Sequence, residues 1–220
     1  MAKTKIVSAK EAAALIKDNM TVMIGGFMCN GTADKIVEEV VNQGAQNLTV
    51  ICNDAGFPNL GTGRLLESRQ CKKLYASHVG LNKQCGEQYS AGELDLVLVP
   101  QGSLAEKVRA GGNGLGGILT PTGLGTIVAE GKQIIEVNGK EFVLEEPLHA
   151  DVAICQGFIA DESGNIRYKG STRNFNPLMA SAADIVIFEV EKIVPAGEIG
   201  PDYVETPHIY VDYLVLKEEA

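Results

Sequence analysis

The stretch MTVMIGGFMCNGTADKIVEEVVNQGAQNLTVIC, residues 20–52, decides the fold. It opens on an uninterrupted apolar run, MTVMIGG (20–26), that ends in two glycines. Ile36, Val37, Val40 and Val41 then recur at helical spacing. Thr32 stands where a helix N-cap is expected and Gly44 where a left-handed C-cap is expected. LTVIC (48–52) is a second apolar run. Apolar strands joined by a crossover helix predict a parallel sheet covered on both faces.

The pattern continues outward from there. Ser8 and Glu11 form an S-x-x-E capping box, which predicts a helix over Ser8–Asp18 with Ala12, Leu15 and Ile16 on its inner face. KLYAS (73–77) and LDLVLV (94–99) read as strands. Ser103 and Glu106 repeat the capping box, predicting a short helix that runs to Gly111. QIIEVNGKEFVLEE (133–146) reads as a hairpin, with Asn138-Gly139 as its type I′ turn. DVAICQG (151–157), DIVIFEV (184–190) and IYVDYLVL (209–216) complete the strands. The predicted class is α/β: one domain over 1–220, with a mostly parallel, partly mixed sheet flanked by helices.

Composition narrows the function. The chain has 220 residues, 45% hydrophobic, enough for one sizeable core. A net charge of −9, with basic residues scattered, argues against nucleic acid as a partner. Apolar runs of about six residues are too short to span a membrane. The N-terminal stretch turns polar and helical, unlike a secretory signal. Five cysteines without a CxxC pair read as free thiols in a reducing cytoplasm, with no metal site.

Several stretches carry chemistry. GGFMCNG (25–31) lies between a strand and a helix, where ligands gather in open α/β sheets. It lacks the G-x-G-x-x-G and GK[ST] patterns, so spacing alone leaves it a ligand loop or a tight structural turn. GGNGLGGILTPTGLGT (111–126) packs seven glycines into sixteen residues, but follows a helix, the wrong context for a dinucleotide fingerprint. It is either a flexible loop or a segment whose backbone approaches a ligand closely. In STRNFNP (171–177), Asn174 and Asn176 can donate to a carbonyl or carboxylate, or build an Asx-turn before a helix started by Pro177. Asn53-Asp54 and His78 each follow a strand, also a site position, although a lone His there is more often structural. His149 and His208 have no evident partner. The acidic groups at 145–147, 188–192 and 217–220 read as solvated charge. DESGN (161–165) reads as a β-turn.

Together these stretches resemble the family I coenzyme A transferases, in the α (A) subunit of the acetate and butyrate–acetoacetate type. The resemblance rests on Asp18-Asn19, Val22-Met23-Ile24, Gly25-Gly26-Phe27 and Gly31. It rests also on ND (53–54), ASHVG (76–80), VPQGSLAEKVRAGGNGLGGILTPTGLGT (99–126) and RNFNP (173–177), and it covers essentially the whole chain. Where the family has Pro two residues past the last glycine, this chain has Ala33, which implies a looser helix start.

The resemblance implies transfer of CoA from an acyl-CoA to a short-chain carboxylic acid. It implies a ping-pong route through a glutamyl-CoA thioester, with CoA thioesters as substrates and no tightly bound cofactor. The family's nucleophilic Glu sits in an S-E-N-G-type motif of the β subunit. This chain has no such motif, so no catalytic nucleophile is expected here and a β chain is the expected partner, as αβ or α2β2. By resemblance, Gly25, Gly26, Phe27, Met28, Cys29, Asn30 and Gly31 contact CoA or substrate. Asn53, His78, Gly114, Gly116, Gly117, Asn174 and Asn176 are the expected wall of a shared active site. The alternative is a non-catalytic α/β domain that binds CoA or a sugar phosphate.

Overall fold

A computed structural model describes residues 4–217. In chain order the first half forms β1 (Lys5–Ile6), α1 (Ala9–Ala13), β2 (Thr21–Ile24), α2 (Asp34–Gln43), β3 (Leu48–Cys52), α3 (Thr62–Glu67), β4 (Cys71–Ala76), α4 (Lys83–Ser90), β5 (Asp95–Leu98) and α5 (Gln101–Gly112). The second half forms β6 (Ile118–Thr120), β7 (Ile134–Val137), β8 (Lys140–Glu145), β9 (Ala150–Asp161), β10 (Ile166–Arg167), α6 (Asn176–Met179), β11 (Ala183–Val194) and β12 (Tyr213–Leu216).

Among the described residues, nine strands make one sheet in the order β1-β12-β11-β9-β2-β3-β4-β5, with β10 attached to β9. Every pairing along that order is parallel, and only the β10 pairing is antiparallel. Alternation sends Val22 and Ile24 into one core, with α1, α2 and α3, and Met23 into the other, with α5 and α6. Phe188, Leu48, Leu74 and Leu104 are among the largest fully buried side chains. Each such burial stabilises the fold by about 1.5–3 kcal/mol.

The strand order places the site. The chain runs from β2 outward through β3, β4 and β5, then returns to build β9, β11 and β12 on the other side of β2. The order therefore reverses between β2 and β9. A crevice opens beyond the strand C-termini at such a reversal. Loop 25–31 leaves β2 at that place.

Several expectations are corrected. The hairpin of β7 and β8 has its type I′ turn, with φ of 52° at Asn138 and 73° at Gly139. It joins β6 in a separate three-stranded antiparallel sheet rather than the main one. The first helix keeps its capping box but stops at Ala13. Thr32 does not cap α2: its Oγ1 donates to Gly25 O at 2.9 Å, and Ala33 is the N-cap residue. Ser103 does not cap α5, which already begins at Gln101 behind Pro100. Short helices α3 and α4 had no sequence reading. The last strand is confined to Tyr213–Leu216, because His208–Tyr210 form a 3₁₀ turn.

Candidate functional site

Loop 25–31 is a strained two-residue hairpin. Phe27 N donates to Asn30 O at 3.0 Å, and Asn30 N returns a bond to Phe27 O at 2.9 Å. Between them Met28 and Cys29 have φ of 50° and 59°. A type I′ turn needs positive φ at both central residues, normally Asn and Gly. Non-glycine residues there cost about 1–3 kcal/mol each, so surrounding contacts must hold the turn.

Asp54 holds it from the β3 side. Its carboxylate accepts Met28 N at 2.8 Å, Asn53 Nδ2 at 2.8 Å and Gly56 N at 3.0 Å. Asn53 is buried and joins this group to α5, its Oδ1 accepting Gln101 Nε2 at 2.7 Å. A second tight turn, Phe57–Leu60, abuts the first, with Cys29 Sγ 3.5 Å from Leu60 O. Burial and the carboxylates of Asp54 and Asp34 push the Cys29 thiol up, away from thiolate.

Asn174 and Asn176 hold the loop from the other side. Asn176 is fully buried. Its Nδ2 donates to Gly31 O at 2.9 Å and Thr172 O at 2.8 Å, while Oδ1 accepts Gln156 N at 2.9 Å. Asn174 Oδ1 accepts Gly26 N at 3.1 Å, and its Nδ2 donates to Asn30 O at 2.9 Å. Gly25 is glycine because a Cβ there would overlap Asn176 Oδ1. The fold thus joins 25–31, 53–54 and 171–176 at one place. Phe27 and Met28 stay more than one-third exposed on its outer side. The cavity behind the loop measures only about 10 Å³, about one water, so a ligand must meet the loop from outside.

The remaining wall residues lie elsewhere. His78 is exposed and meets this region through its backbone: its carbonyl accepts Ala55 N at 3.1 Å. Gly114, Gly116 and Gly117 sit beyond the far end of α5, about 18 Å of helix from Gln101. Gly117, with φ of 150°, closes on Glu145 O of the small sheet. At Gly114 and Gly116 a Cβ would meet nothing within 4 Å. Within this chain they do not join the loop cluster.

Two charge readings are overturned. Glu145 is buried, accepting Lys107 Nζ at 2.8 Å and Lys132 Nζ at 2.6 Å. Burial alone would raise its pKa, but the two lysines outweigh it and hold the carboxyl below its usual range. Glu189 is also fully buried. The signal for it was present: within DIVIFEV (184–190) Glu189 interrupts the apolar run that follows Asp184, flanked directly by Phe188 and Val190. The residues at 218–220 lie outside those described. DESGN is the expected turn, with Gly164 N donating to Asp161 O at 2.9 Å and Glu162 exposed. Among the described residues, no three His, Cys, Asp or Glu side chains gather as a metal site. No helix is long and apolar enough to cross a membrane among them.

Comparison with known proteins places the chain in a family. The chain is 45% identical over 218 residues to the acetate CoA-transferase subunit alpha of Escherichia coli K12, covering 99% of both chains. It is 48% identical over 217 residues to the acetoacetyl-CoA:acetate/butyrate CoA transferase alpha subunit of Clostridium acetobutylicum, again 99% of each. The fold matches the glutaconate coenzyme A-transferase of Acidaminococcus fermentans with a TM-score of 0.84 at 21% identity, over 97% of this chain and 75% of that one. It also matches an acyl-CoA transferase of Escherichia coli O157:H7 with a TM-score of 0.85 at 20% identity, over 98% of this chain but only 47% of that one. The family model described as coenzyme A transferase covers residues 6–217, every segment that builds the loop cluster, and the chain belongs to that family.

Proposed function

We propose that this chain is the α subunit of a short-chain acyl-CoA:carboxylate CoA-transferase, working with a β chain that carries the nucleophile. The substrates are acetyl-CoA, butyryl-CoA or acetoacetyl-CoA with acetate, butyrate or acetoacetate, in the cytoplasm and without a resident cofactor. The observation that carries this reading is the outward-facing loop 25–31 at the strand reversal, where the carboxylate packed against the loop, Asp54, is not free to attack. Asp54 is buried and occupied by three donors. Glu162 sits on the exposed turn that follows β9, its amide held by Val194 O at 2.9 Å.

In the proposed reaction a partner glutamate attacks the thioester carbonyl. The acyl–glutamyl anhydride forms and CoA leaves as thiolate. The thiolate then attacks the glutamyl carbonyl, releasing the first acid and leaving a glutamyl-CoA thioester. The second acid reverses both steps, so the thioester's free energy is kept. This chain contributes a rigid, apolar-faced loop that orients the acyl end and excludes water, which would hydrolyse either intermediate. Backbone amides aimed at the developing oxyanion are worth about 3 kcal/mol each.

The test is exchange of CoA between acetyl-CoA and butyrate. The chain alone should be inactive, and its complex with a β chain active. After incubation with acetyl-CoA, mass spectrometry should find CoA attached to the β chain. Full activity of this chain alone, or CoA attached to it, would overturn the reading.

A further inference from the structure

Glu189, on β11, reaches the first turn of α2, the helix that follows loop 25–31. Strand alternation on β11 turns Ile187 and Glu189 toward the face that carries α1 and α2, and Phe188 toward the other. Glu189 Oε2 accepts the amide of Ile36 at 3.1 Å, in the first turn of α2. Ala33 offers that helix no side-chain cap. An acid 153 residues away therefore supplies the acceptor that the local sequence lacks. The second oxygen, Oε1, is buried without a hydrogen bond.

The helix so held is the continuation of the loop. Only Gly31, Thr32 and Ala33 separate Asn30 from α2, and Thr32 Oγ1 closes the neck on Gly25 O. A shift of the start of α2 would pull Gly31 from Asn176 and Thr32 from Gly25. The charged groups acting on Glu189 are Asp34 on α2 and Lys217 after β12, while Lys35 contributes its backbone amide. Asp34 is occupied by Arg64 at 2.9 Å, and Lys35 leans toward Glu38 at 3.9 Å. Gln156 of β9 and Val215 of β12 flank Glu189 in the sheet. Burial pushes its carboxyl up to about 7, against the α2 amides and Lys217.

We propose that Glu189 is a positioning residue for loop 25–31: it fixes the neck between Gly25 and α2 without touching substrate. The link to acyl-CoA rests on the proposed transferase function, whereas the hold on the loop does not.

Two variants test it, each in the complex with the β chain. Glu189→Gln keeps an acceptor for Ile36 and removes the charge; Glu189→Leu removes the acceptor. In Glu189→Leu, amide hydrogen exchange over 25–36 should speed up by about tenfold or more, with the hairpin at 134–145 unchanged. Its KM for acetyl-CoA should rise by about tenfold with kcat changed much less. Glu189→Gln should keep the wild-type KM at low pH and lose an inflection near 7 in the kcat/KM profile of the wild type. Unchanged exchange in Glu189→Leu would overturn the proposal. If that variant fails to fold, a Glu189→Gln pH profile identical to wild type overturns it. A wild-type complex that transfers no CoA would sink the transferase reading instead, and the exchange rates would still decide the role of Glu189.

Discussion

The carboxylate of Asp54 accepts the backbone amide of Met28 at 2.8 Å, tying the end of β3 to the strained turn that follows β2. Two adjacent non-glycine residues with positive φ need such a hold. Asp54→Ala leaves the Met28 and Gly56 amides without their acceptor. A buried hydrogen bond to a charged group is worth about 1.5–3 kcal/mol, so urea unfolding should show a loss of that order. The KM for acetyl-CoA should rise more than the stability loss alone explains. Asp54→Asn, which can keep one acceptor, should recover part of both.

Gly25 and Gly116 should respond oppositely to a methyl group. At Gly25 the added carbon overlaps Asn176 Oδ1 and disrupts the asparagine that joins the loop to β9. Gly25→Ala should cost about 3 kcal/mol or more, or prevent folding, as seen by thermal unfolding. At Gly116 φ is ordinary and nothing lies within 4 Å. Gly116→Ala should leave this chain's stability unchanged, or raise it by about 0.4–1 kcal/mol. A fall in turnover of that variant would then report contact with the partner chain. Unchanged turnover would reduce the glycine segment to architecture.

Glu145 is the clamp between α5 and the small sheet, through Lys107 and Lys132. Glu145→Ala strands the ammonium of buried Lys107, and breaking such a pair costs about 3–5 kcal/mol. The folded pKa lies below the ordinary 4.5. The stabilisation is therefore present above pH 4.5 and lost as pH falls through the lower folded value. Acid unfolding of the wild type, compared with Glu145→Gln, should show this contribution disappearing only at low pH.

Glu189 gives the opposite slope. Its folded pKa is raised from 4.5 to about 7. Its contribution is fully present below pH 4.5 and is lost as pH rises through about 7. A shift of that size corresponds to about 3 kcal/mol. Glu189→Gln should therefore gain stability relative to wild type between pH 5 and 8, in denaturant titrations at each pH. A constant difference across that range would remove the titration from the account.

Much of this molecule was legible because the deciding terms are local. Apolar periodicity in 20–52 depends on neighbours within a few positions, and β2, α2 and β3 formed where it placed them. The Ser8–Glu11 capping box and the Asn138-Gly139 turn are equally local, and both are present. Local signals failed where a stronger partner competed. Thr32, a good cap by type, closes on Gly25 O instead, and Ser103 sits inside a helix that had already started. The short helices α3 and α4 carry too few apolar positions to show a period.

The sequence by itself determined the strand and helix alternation, the loop at the end of β2 and the absence of an S-E-N-G nucleophile motif. Tertiary structure alone decided which residues support that loop. Asn176 reaches Gly31 across 145 positions and Glu189 reaches Ile36 across 153. It also decided that Glu145 and Glu189 are buried while Glu162 stays in water. The reason is physical: backbone preference is set by adjacent residues, whereas the cost of burying a charge depends on what the folded chain brings against it.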